Sequence, residues 1–287
     1  MCAADATSAE RRLWGSDFFG TLNALPPEPV ALIAQVLEAM RTEPAFQRAR
    51  RVMLTQLQLE PGMHVLDAGC GTGAALPDLL EIAGTGIHVT GVDPTDAFLA
   101  LARERASQLG CEAHYEPGDI RALPYPDATF DAAFCDKVLL HAGPADVALA
   151  ELVRVVRPGG KIGAVEWCPF FLLSTTRPEL AAGLNDTLRQ AVYDFLVSAN
   201  LARHFQSVGL QHIQTHVELA HARSLADHSF WRAFLIDQLP LFVHAGLVPE
   251  SVGQALASDL EQLDRQGTFF ASAIITAAVG TKPGKEY

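Results

Sequence analysis

Lysine and arginine are scarce in this chain: 21 of 287 residues, against 33 aspartates and glutamates, for a formal net charge of −12. That balance disfavours nucleic acid as a partner, because phosphate recognition needs clustered Lys and Arg. An anionic membrane surface is disfavoured on the same ground. Charged residues make up only 19% of the chain and hydrophobic ones 49%, which predicts a sizeable core. Cysteine is also sparse. Cys2, Cys70, Cys111, Cys135 and Cys168 form no C-x-x-C pair and no Cys/His spacing of a zinc site, so reduced thiols in a cytoplasmic protein are expected. No apolar run is long enough to span a bilayer. Residues 1–18 lack the basic-then-apolar pattern of a signal peptide, and without secretion the sequon Asn185-Asp186-Thr187 is a chance match. No internal repeat or low-complexity tract is present.

What the chain does have is Val65-Leu66-Asp67-Ala68-Gly69-Cys70-Gly71-Thr72-Gly73. An apolar strand end runs into three glycines at alternate positions, and an amphipathic segment follows. A backbone that turns tightly and lets a ligand approach needs residues without a side chain. The spacing is G-x-G-x-G. The dinucleotide fingerprint would need Gly where Ala74 stands, and no Lys-Ser/Thr pair marks a phosphate loop, so the ligand need not carry phosphate. Asp93 ends the next expected strand, where an acid accepts hydrogen bonds from a ribose in doubly wound folds. An N-terminal helix cap before Pro94 is its other reading.

Leu66-Asp67-Ala68-Gly69-Cys70-Gly71-Thr72-Gly73, with Gly118-Asp119-Ile120 and Arg157-Pro158-Gly159-Gly160, resembles the class I methyltransferases that use S-adenosylmethionine (SAM). The resemblance is close over about 45–167 and loose elsewhere. It implies SAM as cofactor and a Rossmann-like doubly wound α/β sheet of seven strands with the last antiparallel. The alternation of patterns agrees: strands over 63–67, 87–93, 112–116, 130–135 and 161–167, separated by helices, imply parallel pairing with right-handed crossovers. Helices are expected over 29–40 and 43–58 before the core. After it come a helix over 200–208, strands over 212–219 and 269–279, and inserted helices over 225–242 and 249–265. The division expected is an N-terminal helical segment or lid (1–44), a SAM-binding core (45–168), a cap segment (169–199), and the end of the sheet with a helical insertion at about 224–266 (200–287).

The methyl group of SAM is already activated, so orientation supplies much of the rate. Backbone amides of the turn at Gly69, Cys70, Gly71 and Gly73, with Asp67 and Ala68 before them, suit the methionyl end. Asp93, followed by Pro94, suits the ribose hydroxyls, since an ionised carboxylate only accepts. By the resemblance, Asp119 takes the adenine amino group and Ile120 packs on the ring. Cys135 and Asp136 end the fourth strand at the ligand edge of the sheet. His141 follows, either a general base or a packing residue. Arg48, Arg50 and Arg51 read as a solvated helix face, with one of them able to reach the SAM carboxylate. Asp136 and Glu166 are too weak a pair to imply a metal, and none is expected.

Aromatic residues cluster at Trp14, Phe18 and Phe19, at Trp167, Phe170 and Phe171, and at Phe230, Trp231 and Phe234. Trp14, Phe18, Trp167, Phe170 and Phe171 are expected to hold a small, largely apolar acceptor, whereas Phe234 is expected to pack the cap. The acceptor atom stays open among O, N and C, and the oligomeric state between monomer and homodimer. A SAM-binding protein of this fold that catalyses a non-methylating reaction, such as a cyclisation, is the alternative, because fold does not fix function.

Overall fold

The computed structural model describes residues 18–284. Its sheet has seven strands: β1 (His64–Ala68), β2 (His88–Asp93), β3 (Ala113–Pro117), β4 (Phe130–Asp136), β5 (Val156–Leu173), β6 (Gln211–Ala222) and β7 (Ala271–Thr281). They lie in the order β3-β2-β1-β4-β5-β7-β6. β1 to β5 pair in parallel, and β7 runs antiparallel to both β5 and β6. This is the doubly wound sheet with one reversed strand that was expected. Right-handed crossovers on either side of β1 put helices Leu76–Ala83 and Asp96–Gln108 on one face and helix Ala145–Val155 on the other. The central strands are therefore covered twice. Val65, Leu66, Phe134, Ile162 and Val165 are fully buried, as the continuous apolar runs of parallel strands require.

The strand order reverses between β1 and β4, and a crevice opens there beyond the carboxyl ends of the strands. Two helices, Pro27–Thr42 and Pro44–Gln56, lead into it. They are separate because Glu43 caps the second: its Oε2 accepts from the N–H groups of Ala45 (2.8 Å) and Phe46 (3.1 Å). Pro44 sits where the missing N–H costs nothing.

Two elements differ from the sequence reading. β5 does not stop at Trp167. It continues as an antiparallel ribbon with β7 to the pair Leu173↔Ala271, with a register shift between Cys168 and Leu172. Pro169 falls in that irregularity, where a residue without an N–H is tolerated. The helix expected over 225–242 is in three pieces: Ser229–Arg232, a π-helical turn Ala233–Asp237, and Leu239–His244. Pro240 occupies the first turn of the last piece and cannot donate to a continuous α ladder. The start is delayed to Ser229 because Asp227 Oδ2 accepts from Arg223 N and Ser224 N, and His228 caps Phe230 N. The four cysteines among the described residues are free thiols. No helix among them is long and apolar enough to cross a membrane.

Candidate active site

The turn after β1 is built from the backbone outward. Gly69 N and Cys70 N both donate to Val92 O, at 2.7 and 2.9 Å, which curls the chain over the end of β2. Gly69 has φ +77°, and a Cβ there would lie 2.5 Å from Val138, so only glycine fits. Gly71 N donates to Asp93 Oδ2 (3.0 Å) and Thr95 N to Asp93 Oδ1 (2.8 Å). Asp93 thus caps the following helix and braces the turn at once, and it lines the cavity as well. The cap and ligand readings of this residue are compatible, because each carboxylate oxygen keeps a further lone pair.

The cavity has a volume of about 350 Å³. Of the expected cofactor residues, Asp67, Gly69, Cys70, Gly71, Asp93, Pro94, Asp119, Ile120 and Asp136 line it. Ala68, Gly73 and Cys135 are not in its wall, and Ala68 and Cys135 are wholly buried in their strands. His141 lines the cavity, its ring centroid 5.0 Å from that of Phe19. Trp14 lies outside the described residues, and of Phe18 only the backbone is described.

The aromatic residues divide by face. Trp167 and Phe234 form part of the wall, their ring centroids 5.1 Å apart. Phe171 and Phe230 stand behind them, buried, at 5.3 and 5.6 Å from Phe234. Phe170 is 51% exposed on the outer face of β5 and does not reach the cavity. Phe171 and Phe170 are therefore not wall residues, whereas Phe234, expected to pack the cap, is one. Phe170→Ser should change stability by no more than about 0.5 kcal/mol, and Phe234→Ala should cost about 3 kcal/mol. Denaturant unfolding of both variants checks this. The reverse order would mean that the assigned faces are exchanged.

Beneath the wall lies a buried charge network. Arg50, with no exposed surface, donates from Nε to Asp136 Oδ2 (2.8 Å) and from Nη1 to Asp78 Oδ2 (2.9 Å). Arg48 pairs with Glu218 and Arg51 with Glu81 and Asp78. All three arginines are thus engaged with carboxylates, and none lines the cavity. Lys137 donates to Asp136 Oδ1 at 2.5 Å. Burial would raise the Asp136 carboxyl, but Lys137 and Arg50 together hold it below its usual value. Asp67 has the opposite fate: burial, reinforced by Asp136, pushes it up to about 8 despite Arg50. Burial also raises Asp93 to about 6, against the pull of its two N–H donors. Asp119 stays below its usual value, since Arg121 outweighs burial; Arg121 Nη2 lies 2.6 Å from its Oδ2. Glu166 accepts from Val138 N (2.9 Å) and Leu139 N (2.6 Å). It thereby fixes the loop that carries both Val138, packed on Gly69, and His141. Among the described residues no group of three or more His, Cys, Asp or Glu is placed to hold a metal.

One wall was expected only coarsely, as an N-terminal helical segment or lid over 1–44, with none of its lining residues named. Ile33, Val36, Leu37 and Met40 of helix Pro27–Thr42 face the cavity. Glu38 of the same helix accepts from Thr72 Oγ1 (2.6 Å) and Arg105 Nη2 (2.7 Å), which ties the helix across the glycine turn. The apolar spacing of that helix was readable, but nothing local says what its stripe faces.

The family model described as "Methyltransferase domain" matches residues 65–160. Over 157 residues the chain is 34% identical to the demethylmenaquinone methyltransferase of Beutenbergia cavernae, which takes in 51% of this chain and 62% of that protein. Over 125 residues it is 32% identical to a sterol 24-C-methyltransferase of Gibberella zeae, covering 43% of this chain and 32% of that one. The chain spans less than two thirds of the length of either curated relative. Among solved structures, the phosphoethanolamine N-methyltransferase 2 of Haemonchus contortus in complex with S-adenosyl-L-methionine matches with a TM-score of 0.58 at 16% identity, over 93% of this chain and 60% of that one. At that identity the likeness is one of fold.

Proposed function

Residues 65–160 belong to the methyltransferase-domain family, and from that premise we propose that this chain transfers a methyl group from SAM to a small, largely apolar acceptor. The observation that carries the proposal is the convergence of the glycine turn, Asp67, Asp93 and Asp119 on one cavity whose remaining wall is largely apolar and aromatic. The residues suit SAM. The glycine turn lets the methionyl end approach the backbone closely, Asp67 faces its ammonium, Asp93 takes the ribose, and Asp119 with Ile120 takes the adenine. SAM supplies the activated methyl; the protein aligns the acceptor behind it and excludes water. Trp167, Phe234 and Met40 bound the space left for the acceptor, and the insertion at about 224–266, which carries Phe234, acts as its cap, whereas no residue of the expected cap segment 169–199 lines the cavity.

An apolar acceptor agrees with the printed names of the two curated relatives, a quinone and a sterol enzyme. It also agrees with the net charge of −12, which repels a strongly anionic molecule. His141 takes the proton of a hydroxyl or amine acceptor. Titration calorimetry with SAM and S-adenosylhomocysteine tests cofactor binding, and release of S-adenosylhomocysteine with a methylated product tests transfer against a cyclisation. With an acceptor in hand, His141→Ala should lower turnover about 10²-fold or more and flatten the pH profile between about pH 5 and 8. Full activity with an unaltered profile would remove His141 from the reaction.

A further inference from the structure

The antiparallel end of the sheet carries an outward face that the described residues cover only in part. Paired residues on neighbouring strands share a face, and side chains alternate along each strand. Cys168, Ile274 and Leu219 therefore stand in one row, with Thr276 and Val217 in the next. Leu172, paired with Ser272, extends the same face on the other side. Trp167 and Ile275, paired between these rows, point the opposite way and are buried. Helix Val197–Ser207 packs on the face at Thr276, where Ser198 Oγ donates to Thr276 Oγ1 at 3.0 Å. The rest stays open. Leu172, Val217, Leu219 and Ile274 are 50–63% exposed, and so is Leu196 at the rim, beside the contact of Cys168 Sγ with Phe195 O at 3.8 Å. The solvated face of an antiparallel sheet is usually polar; this one is apolar.

Five large apolar side chains, each half exposed or more, present roughly 500 Å², the size of the largest patch on a typical monomer. Two copies meeting there bury about 1,000 Å², the area at which a specific interface begins. Charge also favours a second copy. A net charge of −12 attracts basic partners, yet these rows hold no exposed carboxylate for them. Glu218, the one Asp, Glu, Lys or Arg of β6, points to the other side and pairs with Arg48 at 3.0 Å. Two copies thus meet here without like charges in contact. Lys and Pro commonly keep sheet edges from associating, and β6 has neither. We propose that this face is the contact of a homodimer, two copies packing sheet on sheet across a two-fold axis. Trp167 faces away from it, so each copy keeps its own cavity free.

Sedimentation velocity of the full chain over a concentration series tests this. The wild type should show a monomer–dimer equilibrium in the micromolar range. Leu219→Lys brings two ammonium groups into the contact, one from each copy, and should weaken the dimer by about a hundredfold or more. Val217→Lys should do the same. Both side chains are solvent-facing in the single chain, so both variants should keep the circular dichroism of the wild type. Leu101→Lys, exposed on helix Asp96–Gln108 beside β3 at the opposite edge of the sheet, should leave the dimer unchanged. A wild type that stays monomeric throughout the series overturns the proposal. So does a dimer that survives Leu219→Lys and Val217→Lys, or one that Leu101→Lys weakens equally. Growth beyond a dimer also overturns it, because a two-fold contact closes on itself. A monomeric wild type that dimerises once residues 1–17 are removed would give the face to the chain's own N-terminal segment instead.

Discussion

Arg50→Met should unfold at a temperature lower by on the order of 10 °C, a loss of about 3 kcal/mol or more. Arg50 has no solvent contact, and its guanidinium is the bridge between Asp78 and Asp136, whose side chains are 5% and 8% exposed. Its Nη1 also reaches Ala74 O just after the glycine turn. Removing one member of a buried ion network leaves uncompensated charge, which costs far more than the network contributes when intact. Lys137 on Asp136 and Arg51 on Asp78 limit the damage. A second substitution, Asp78→Asn, should recover part of the loss by removing one stranded carboxylate. Thermal unfolding of the single and double variants measures both effects. An unchanged transition in Arg50→Met would mean that these carboxylates are held by other groups. Because Asp136 lines the cavity, weaker cofactor binding should accompany the lost stability.

Asp93→Ala should weaken binding of SAM and S-adenosylhomocysteine by about ten- to a hundredfold, as expected for a lost charged hydrogen bond. The same substitution removes the acceptor of Gly71 N–H, so the turn loses its brace together with the proposed partner of the ribose. The pH dependence has a defined sign. In the unfolded chain Asp67 and Asp93 ionise near the ordinary value of 3.8, whereas in the folded protein they hold their protons to about 8 and about 6. Between those limits the folded state binds more protons. The contribution of these groups to stability therefore falls as pH rises from about 4 to about 8 and is level beyond. A cationic ligand group beside Asp67 and hydroxyl donors beside Asp93 favour the ionised forms, so cofactor binding near pH 7 should release protons. Calorimetry in two buffers of different ionisation enthalpy reads that release, and Asp67→Asn should diminish it. Equal proton release in the wild type and Asp67→Asn would disprove the assignment of the proton to Asp67.

Much of the cofactor side of the site was legible because it is local in the chain. A strand, a glycine turn and a helix form one continuous unit, and Asp93 follows one crossover later. Parallel registry of β1 with β2, Asp67 beside Gly91, brings the two acids to one edge. The reversed last strand followed from the family resemblance and not from any residue pattern.

The acceptor side was not legible, and each reason is geometric. Arg48, Arg50 and Arg51 lie within one turn of a single helix, about 100° apart per residue. Only the docking of that helix decides that Arg50 points inward. Phe170 and Phe171 are neighbours on a strand, so one must face out, and the irregularity around Pro169 chooses which. The stripe Ile33, Val36 and Met40 promised a buried helix face, but its place over the glycine turn comes from Glu38 meeting Thr72 and Arg105, 34 and 67 residues away. Phe234 reaches the wall from a π-helical turn, which no short-range pattern specifies. The sequence by itself determined the cradle, because its parts are adjacent along the chain and local hydrogen bonding and sterics suffice. Tertiary packing alone decided the acceptor wall, because its parts are far apart in sequence and their facing depends on how whole helices dock.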